Sequence, residues 1–383
     1  MELSSKGNLH FLDEALLTEK QLKLTPELYP VHFVERALDS DGEPMGWVKS
    51  PFNAIILGYG KVGQSVLSFL YEYASFVGED KSPLPLSFEV LDQDATRLGG
   101  DFRVQHPGIS EDCVCFRDLD VGTEAFWSYF NDKVTSVNYI AVDLGADELN
   151  AQIALDIIEV ISRHKMQATP AIVVKLEDKE RFGSLFDFYS NSLGMDSLFL
   201  LGSHDEIWTA SNLFNDYIEP FAKRFHHSYC LATGSDETWE SRREAIWKKD
   251  VSELWKRQEY IRKNDLDSGN YLHGKEKAIL VPKRFIEDAG IADSIPSVYD
   301  GEHCIGLSEK DSSILEYLAI GEHIHWMAAL HIRGYRLGTD KREDIKEHSY
   351  LVDYFSLSEA VRHYDWIIIK TTLSILREEG QSL

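Results

Sequence analysis

Residues 53–63 read N-A-I-I-L-G-Y-G-K-V-G, an apolar run that breaks into three glycines spaced Gly58-x-Gly60-x-x-Gly63 and continues with helical patterning. Such a turn can hold a phosphate. The first glycine permits a tight turn, the second lets the backbone approach a pyrophosphate, and the third lets helix and strand pack closely. Free N–H groups at the start of the following helix, where its dipole is positive, favour an anion. Tyr59, Lys61 and Val62 complete the loop. A strand that ends in a carboxylate supplies the next piece, because an acceptor pair matches two vicinal ribose hydroxyls. Asp92, in V-L-D-Q-D, stands there, and Asp94 is the alternative. The stretch 78–85 (G-E-D-K-S-P-L-P) lengthens the spacing from Gly58 and reads as an exposed insertion. An acid here favours a free 2′-hydroxyl, hence NAD-like or adenosine ligands over NADP.

Further along, F-R-D (116–118) places Asp118 where it can face an adenine, and A-V-D-L-G-A-D-E-L-N (141–150) makes a second glycine turn, at Gly145, on the carboxyl edge of the sheet where ligands bind. Asp147 and Glu148 in that turn also suit the dipole of the following helix. Nearer the carboxyl end, L-E-Y-L-A-I-G-E-H-I-H-W-M (315–327) brings Glu322, His323 and His325 close in sequence and invites a zinc reading. The spacing is not the i, i+4 histidine pair that shares one metal, since only His323 and Met327 are so related. No metal site is expected; the plainer reading is a helix whose polar and aromatic groups pack within its domain.

The elements that must position these groups alternate regularly. Short apolar runs at 54–57, 86–91, 114–116, 138–142, 171–175 and 198–201 read as strands, with helices at 61–76, 123–131, 148–164, 177–192 and 205–224. The alternation predicts an α/β fold: a Rossmann-like parallel-sheet domain followed by a mostly α-helical C-terminal domain. We divide the chain into an accessory segment (1–50), the sheet domain (51–215), a helical connector (216–302) and a helical domain (303–383). In the first segment 11–22 has helical spacing, 28–34 reads as extended and 39–44 as a turn-rich break. In the connector 236–266 is an amphipathic helix, with Trp239, Trp247, Val251, Leu254 and Trp255 at helical spacing. Loops are expected at 264–274 and 291–301, and the last helical stretch, 308–379, is interrupted at 334–348.

The 383 residues carry 39 Lys and Arg against 64 Asp and Glu, a formal charge of −25. That balance argues against nucleic acid as a partner and against an anionic membrane surface. No run reaches the roughly 18 apolar residues of a membrane span, and no signal-peptide core follows Met1. Cys113, Cys115, Cys230 and Cys304 lack zinc-type spacing; the first two fall in a strand and read as buried free thiols, so a reducing cytoplasm is the expected location.

The succession G-Y-G-K-V-G, Asp92, R-D, A-V-D-L-G-A-D-E-L-N-A-Q-I-A and A-I-V-V-K-L-E-D resembles the nucleotide-binding domain of Trk-type potassium-uptake regulators (the RCK family) over roughly residues 51–205. The resemblance implies that Gly58, Gly60 and Gly63 hold the phosphates, Asp92 the ribose, and Asp118 and Gly145 the remainder of NAD(H), ATP, ADP or ADP-ribose. It also implies a homodimer that gates a membrane transporter or channel without chemistry. The long insertion before Asp92 and the aromatic-rich first helix depart from that family. The stretch from E-H-x-x-W (322–326) through G-Y-R-L-G (334–338), His348, Leu351, Val352, Tyr354, Leu357 and Asp365 resembles the bacterial form of the ryanodine-receptor (RyR) repeat domain, with Ser349 and Asp353 as departures. That resemblance implies a small-ligand module with His323, Trp326, Tyr335, Arg336 and His348 as contacts. Together the two imply a nucleotide sensor whose second module reads another ligand or relays the state, and the start of the chain would suit a protein lacking an upstream half. The rivals are an NAD-dependent oxidoreductase and a ligand-free dimerisation scaffold.

Overall fold

The computed structural model describes residues 14–164, 169–193, 197–209 and 307–380, with a few single positions between 227 and 236. Helix α1 (Glu14–Leu24) leads to a hairpin of β1 (Arg36–Leu38) and β2 (Pro44–Val48). The sheet domain follows: β3 (Phe52–Leu57), α2 (Lys61–Tyr73), β4 (Leu86–Asp92), α3 (Ala95–Gln105), β5 (Val114–Asp118), α4 (Glu124–Lys133), β6 (Tyr139–Val142), α5 (Asp147–His164), β7 (Ala171–Lys175), α6 (Lys179–Leu193), β8 (Leu198–Leu201) and the single turn α7 (His204–Ile207). The helical module consists of α8 (Glu309–Ile332), a short parallel pair β9 (Arg336–Leu337) and β10 (Glu347–His348), and α9 (Glu359–Gly380). The expected connector, most of the helix at 205–224, and Cys304 lie outside the described residues.

Six parallel strands run β5-β4-β3-β6-β7-β8. Their sequences show why: every residue of β6 and β7 is buried, and strands covered on both faces must be apolar nearly throughout. One face is covered by α4, α5 and α6 through residues such as Phe126, Phe130, Ile157 and Phe186. The other is covered by α1, α2 and α3. The strand order reverses between β3 and β6, which opens a crevice at their carboxyl ends.

The helical module docks on this body. Ala328 and Ile332 of α8 belong to the core formed by α2 and the sheet, while Trp366 and Ile369 of α9 pack with Ile314 and Leu318 of α8 and with Val77. The loop at 78–85 is exposed at its tip and also forms part of this joint, because the Tyr317 hydroxyl donates to the Glu79 carbonyl (2.6 Å) and Lys81 pairs with the buried Glu316. The hairpin adds the Lys310–Asp39 pair and the contact of Trp47 with Tyr317. Among the described residues no helix is long and apolar enough to cross a membrane.

Three local expectations change. The stretch at 28–34 is two 3-10 turns, Pro26–Leu28 and Pro30–Phe33, because a proline at the start of each presets a helical φ. Helix α3 escapes notice because Gly99 and Gly100 interrupt its pattern; at Gly99 a Cβ would stand 3.0 Å from the Phe116 ring, so close packing on β5 explains the first glycine. Cys113 and Cys115 are half-buried rather than buried, since both lie at the exposed edge strand β5.

Candidate functional site

The turn from β3 into α2 gives its three glycines different work. Gly58 has φ +87°, and a Cβ there would stand 1.9 Å from the Asp143 carbonyl oxygen; a Cβ on Gly63 would stand 2.2 Å from the Gly58 oxygen. The protein itself demands these two. Gly60 caps α2 and is exposed, and a Cβ on it would meet only Asp143 Oδ2, at 3.6 Å. Its bare backbone faces the crevice, which is where the second glycine of a phosphate loop belongs. Lys61 is exposed beside it, Val62 is buried in the core, and the Tyr59 ring is buried edge-on against Phe116, 4.9 Å away.

Asp92 ends β4 with its carboxylate already fixed: Oδ2 accepts the Tyr59 N–H and Oδ1 the Asp94 N–H, both at 2.9 Å. Two backbone donors, one in the glycine turn and one two residues along the chain, hold the acid against that turn. Asp118 lies next to Asp92 in register on β5. Its oxygens accept the Thr96 N–H (2.8 Å) and the Thr96 hydroxyl, which hold its carboxyl below the usual range, so it secures the first turn of α3.

Asp143, Lys175 and Glu14 are the residues that motif reading misses. Asp143 follows β6, and its carboxylate accepts the N–H groups of Gly63 and Gly145; burial pushes its pKa upward. An internal anion therefore occupies one of the donors that the helix start would offer a phosphate. Gly145, at φ +85°, has no atom near its missing side chain and gives this turn its shape. Across the crevice, Lys175 at the end of β7 is 8 % exposed and places Nζ 2.6 Å from Glu14 and 2.7 Å from Glu177. Asp147 accepts from the N–H groups of Glu177 and Asp178, and buried Asn150 joins Leu144 to the Lys175 carbonyl, so the two carboxyl-edge loops are tied together. Strand-end position could have flagged Asp143 and Lys175. Nothing local could have flagged Glu14, which arrives from α1.

Glu14, Glu177 and His204 are the one group of acids and imidazoles among the described residues close enough to share an ion. The Lys175 ammonium already bridges the two carboxylates, so the charge an ion would supply is built in.

In the helical module the five expected contact residues divide. His323 is buried, binds the Val352 carbonyl through Nε2 (2.8 Å) and stacks on Trp326, which meets His348 edge-on at 5.0 Å. Burial holds the pKa values of both histidines below their ordinary value. Tyr335 packs with Leu330 and Leu351 and donates to Glu343. These four side chains form one ring cluster that ties the 334–358 loop to α8, whereas Arg336 is exposed on Glu347 (2.9 Å) and faces a cavity between the module and the sheet domain.

The Glu322, His323 and His325 of the zinc reading are also dispersed: His325 Nδ1 lies 3.4 Å from Glu322, and His323 points instead to Val352 and Asp365. Compared with models of protein families, with curated proteins and with solved structures, the chain matches none of them.

Proposed function

We propose that the chain is a nucleotide-sensing regulatory protein whose sheet crevice binds an adenine nucleotide and whose docked helical module relays the bound state, in the manner that its resemblance to Trk-type regulators and RyR domains implies, to an ion-transport partner. The observation that carries this reading is Asp92, held by two backbone N–H groups beside a glycine turn whose second glycine is open to the crevice. In this role Asp92 accepts from the ribose hydroxyls and the 60–63 backbone with Lys61 receives the phosphates. When bound, the nucleotide would supply anionic phosphates and a ribose diol; the protein residues orient them.

Among the candidates, the geometry favours a mononucleotide such as ADP or ATP over intact NAD(H). In a sheet of this order the second half, β6 to β8, takes the second nucleoside of a dinucleotide. Here that half carries the Glu14–Lys175–Glu177 bridge and α1, whose Ala15 carbonyl accepts from Ser65 on α2. Transmission has a physical route, because α2 begins at the glycine turn and its far end shares a core with α8.

Calorimetric titration with ADP, ATP, ADP-ribose, NAD and NADH tests the reading. ADP should bind saturably and more tightly than NAD, and Asp92→Ala should weaken it by about 10- to 100-fold, the worth of charge-assisted hydrogen bonds. Absence of binding by all five, or ADP binding indifferent to Asp92→Ala, would overturn it.

A further inference from the structure

A cavity of about 920 Å³ separates the ends of α2 and α3 from the module. Its size falls in the range of small-molecule sites. Arg103, His106, Arg333, Arg336 and Lys346 line it, in a chain whose formal charge is −25. Arg336 is paired with Glu347 (2.9 Å), which leaves Arg103, Arg333 and Lys346 to be accounted for. Arg103 donates to the carbonyls of Ile109, Ser110 and Val114, reaching past the end of its own helix into the next loop. Arg333 Nε donates to the Ala329 carbonyl at 3.1 Å, and Lys346 Nζ to the Arg333 carbonyl at 2.7 Å. Carbonyls fix the direction of a guanidinium without cancelling its charge. Of the lining acids, Asp344 is paired with Arg342, and Glu19 lies 3.2 Å from Lys23.

The inner wall carries a second, independent mark. Glu72 on α2 is 2 % exposed, and its Oε2 has no hydrogen-bond partner. Burial pushes its carboxyl pKa upward against the pull of Lys23 and Arg333, and the adjacent Glu19 adds to the rise. The buried Glu72 oxygen is a polar group that the protein itself leaves unsatisfied on a wall shared with guanidinium groups.

We propose that this seam cavity is a binding site for a small phosphorylated polyanion, gripped by Arg103 and Arg333, with Arg336 and Lys346 at its mouth. Planar guanidiniums bind phosphate through paired N–H groups. The site is separate from the glycine turn and does not depend on what the crevice binds.

Inorganic pyrophosphate is the probe, titrated calorimetrically into the full chain at constant ionic strength. Saturable binding at one per chain should be retained in Gly60→Ala, weakened about tenfold in Arg103→Gln and in Arg333→Gln, and lost in the double variant, as expected when one charge-assisted contact is removed at a time. Absence of saturable binding by the unsubstituted chain overturns the proposal, as does binding that survives the double variant or disappears in Gly60→Ala. If the arginine variants do not fold, crystals of the unsubstituted protein soaked in tungstate decide: an anomalous peak between Arg103 and Arg333 supports the site, and its absence from the cavity sinks it.

Discussion

The crevice and the seam cavity are opposite ends of the same two helices. Helices α2 and α3 start at the glycine turn and beside Asp92, and they end at Glu72 and Gln105 on the cavity wall. At about 1.5 Å per residue, α3 spans roughly 16 Å between the two. At the N-terminal ends the groups that attract an anion are backbone amides, one of them already held by Asp143. At the C-terminal ends the anion-directed groups are side chains, steadied by carbonyls of the loop after α3 and of the end of α8. The two ends of one scaffold thus offer different anion chemistry, backbone donors at one and side-chain cations at the other. A backbone site is specified by glycine spacing in a single segment; a side-chain site is assembled from residues scattered over α3, the end of α8 and the turn before β10.

Substituting glycines separates backbone roles from binding roles, with the largest effects. Gly58→Ala combines φ +87° with a Cβ 1.9 Å from a carbonyl oxygen, so it should cost about 3–5 kcal/mol or prevent folding. Gly334→Ala at the seam, with φ +84° and 2.6 Å to the Gln105 oxygen, belongs in the same class. Gly60→Ala meets nothing closer than 3.6 Å and should cost about 1 kcal/mol as a lost helix cap, while weakening ADP markedly. Urea denaturation of the three variants gives the ranking. Equal destabilisation by Gly58→Ala and Gly60→Ala would remove the distinction between a glycine required by the fold and one open to a ligand.

The same division explains what could be read in advance. The strands between 54 and 201 were legible because buried parallel strands leave continuous apolar runs, the spacing of Gly58, Gly60 and Gly63 because one turn imposes it, and Asp92 because it ends the next apolar run. Helix α3 was hidden by Gly99, whose reason is the Phe116 ring on another strand. The role of Asp143 depends on where Gly63 and Gly145 converge, and that of Glu14 on the docking of α1. His323, Trp326 and His348 were recognisable as a pattern, yet the pattern records ring packing at least as well as ligand contact. The seam cavity has no local signature: Arg103 and Arg333 are ordinary helix-end cations until the two helix ends meet.

The two ends also respond to pH in opposite senses through single residues. At the seam, burial lowers the His331 pKa to about 4, and Tyr71 shares a hydrogen bond with its Nδ1 at 3.2 Å. A histidine depressed in the folded state takes up a proton on unfolding between about 4 and its unperturbed 6.5, so its contribution is intact above that window and lost as pH falls through it. We expect acidification across this window to cost the native chain roughly 1–3 kcal/mol more than His331→Gln. The buried Glu72, whose pKa is raised, works against this trend in both proteins, so the difference between them isolates His331. Identical pH dependence of urea midpoints in the two would show that the seam does not hold His331 neutral.

Asp143 provides the matching experiment at the crevice, where the expected change is smaller and is read in binding. Its carboxyl pKa is raised in the folded state, so this group favours folding more strongly as pH falls toward 3.8, the reverse of His331. The same proton removes an anion from beside the phosphate donors. Affinity for ADP-ribose, whose diester phosphates do not titrate near neutrality, should therefore increase as pH is lowered toward the raised Asp143 pKa. Asp143→Asn keeps an acceptor for the glycine amides and deletes the charge; it should bind ADP-ribose roughly tenfold more tightly at neutral pH, about 1.4 kcal/mol, and lose the pH dependence. Calorimetry across pH on both proteins gives the answer. Weaker binding by Asp143→Asn would instead make the carboxylate a direct ligand of the nucleotide, a second acid joining Asp92 in holding what the crevice binds.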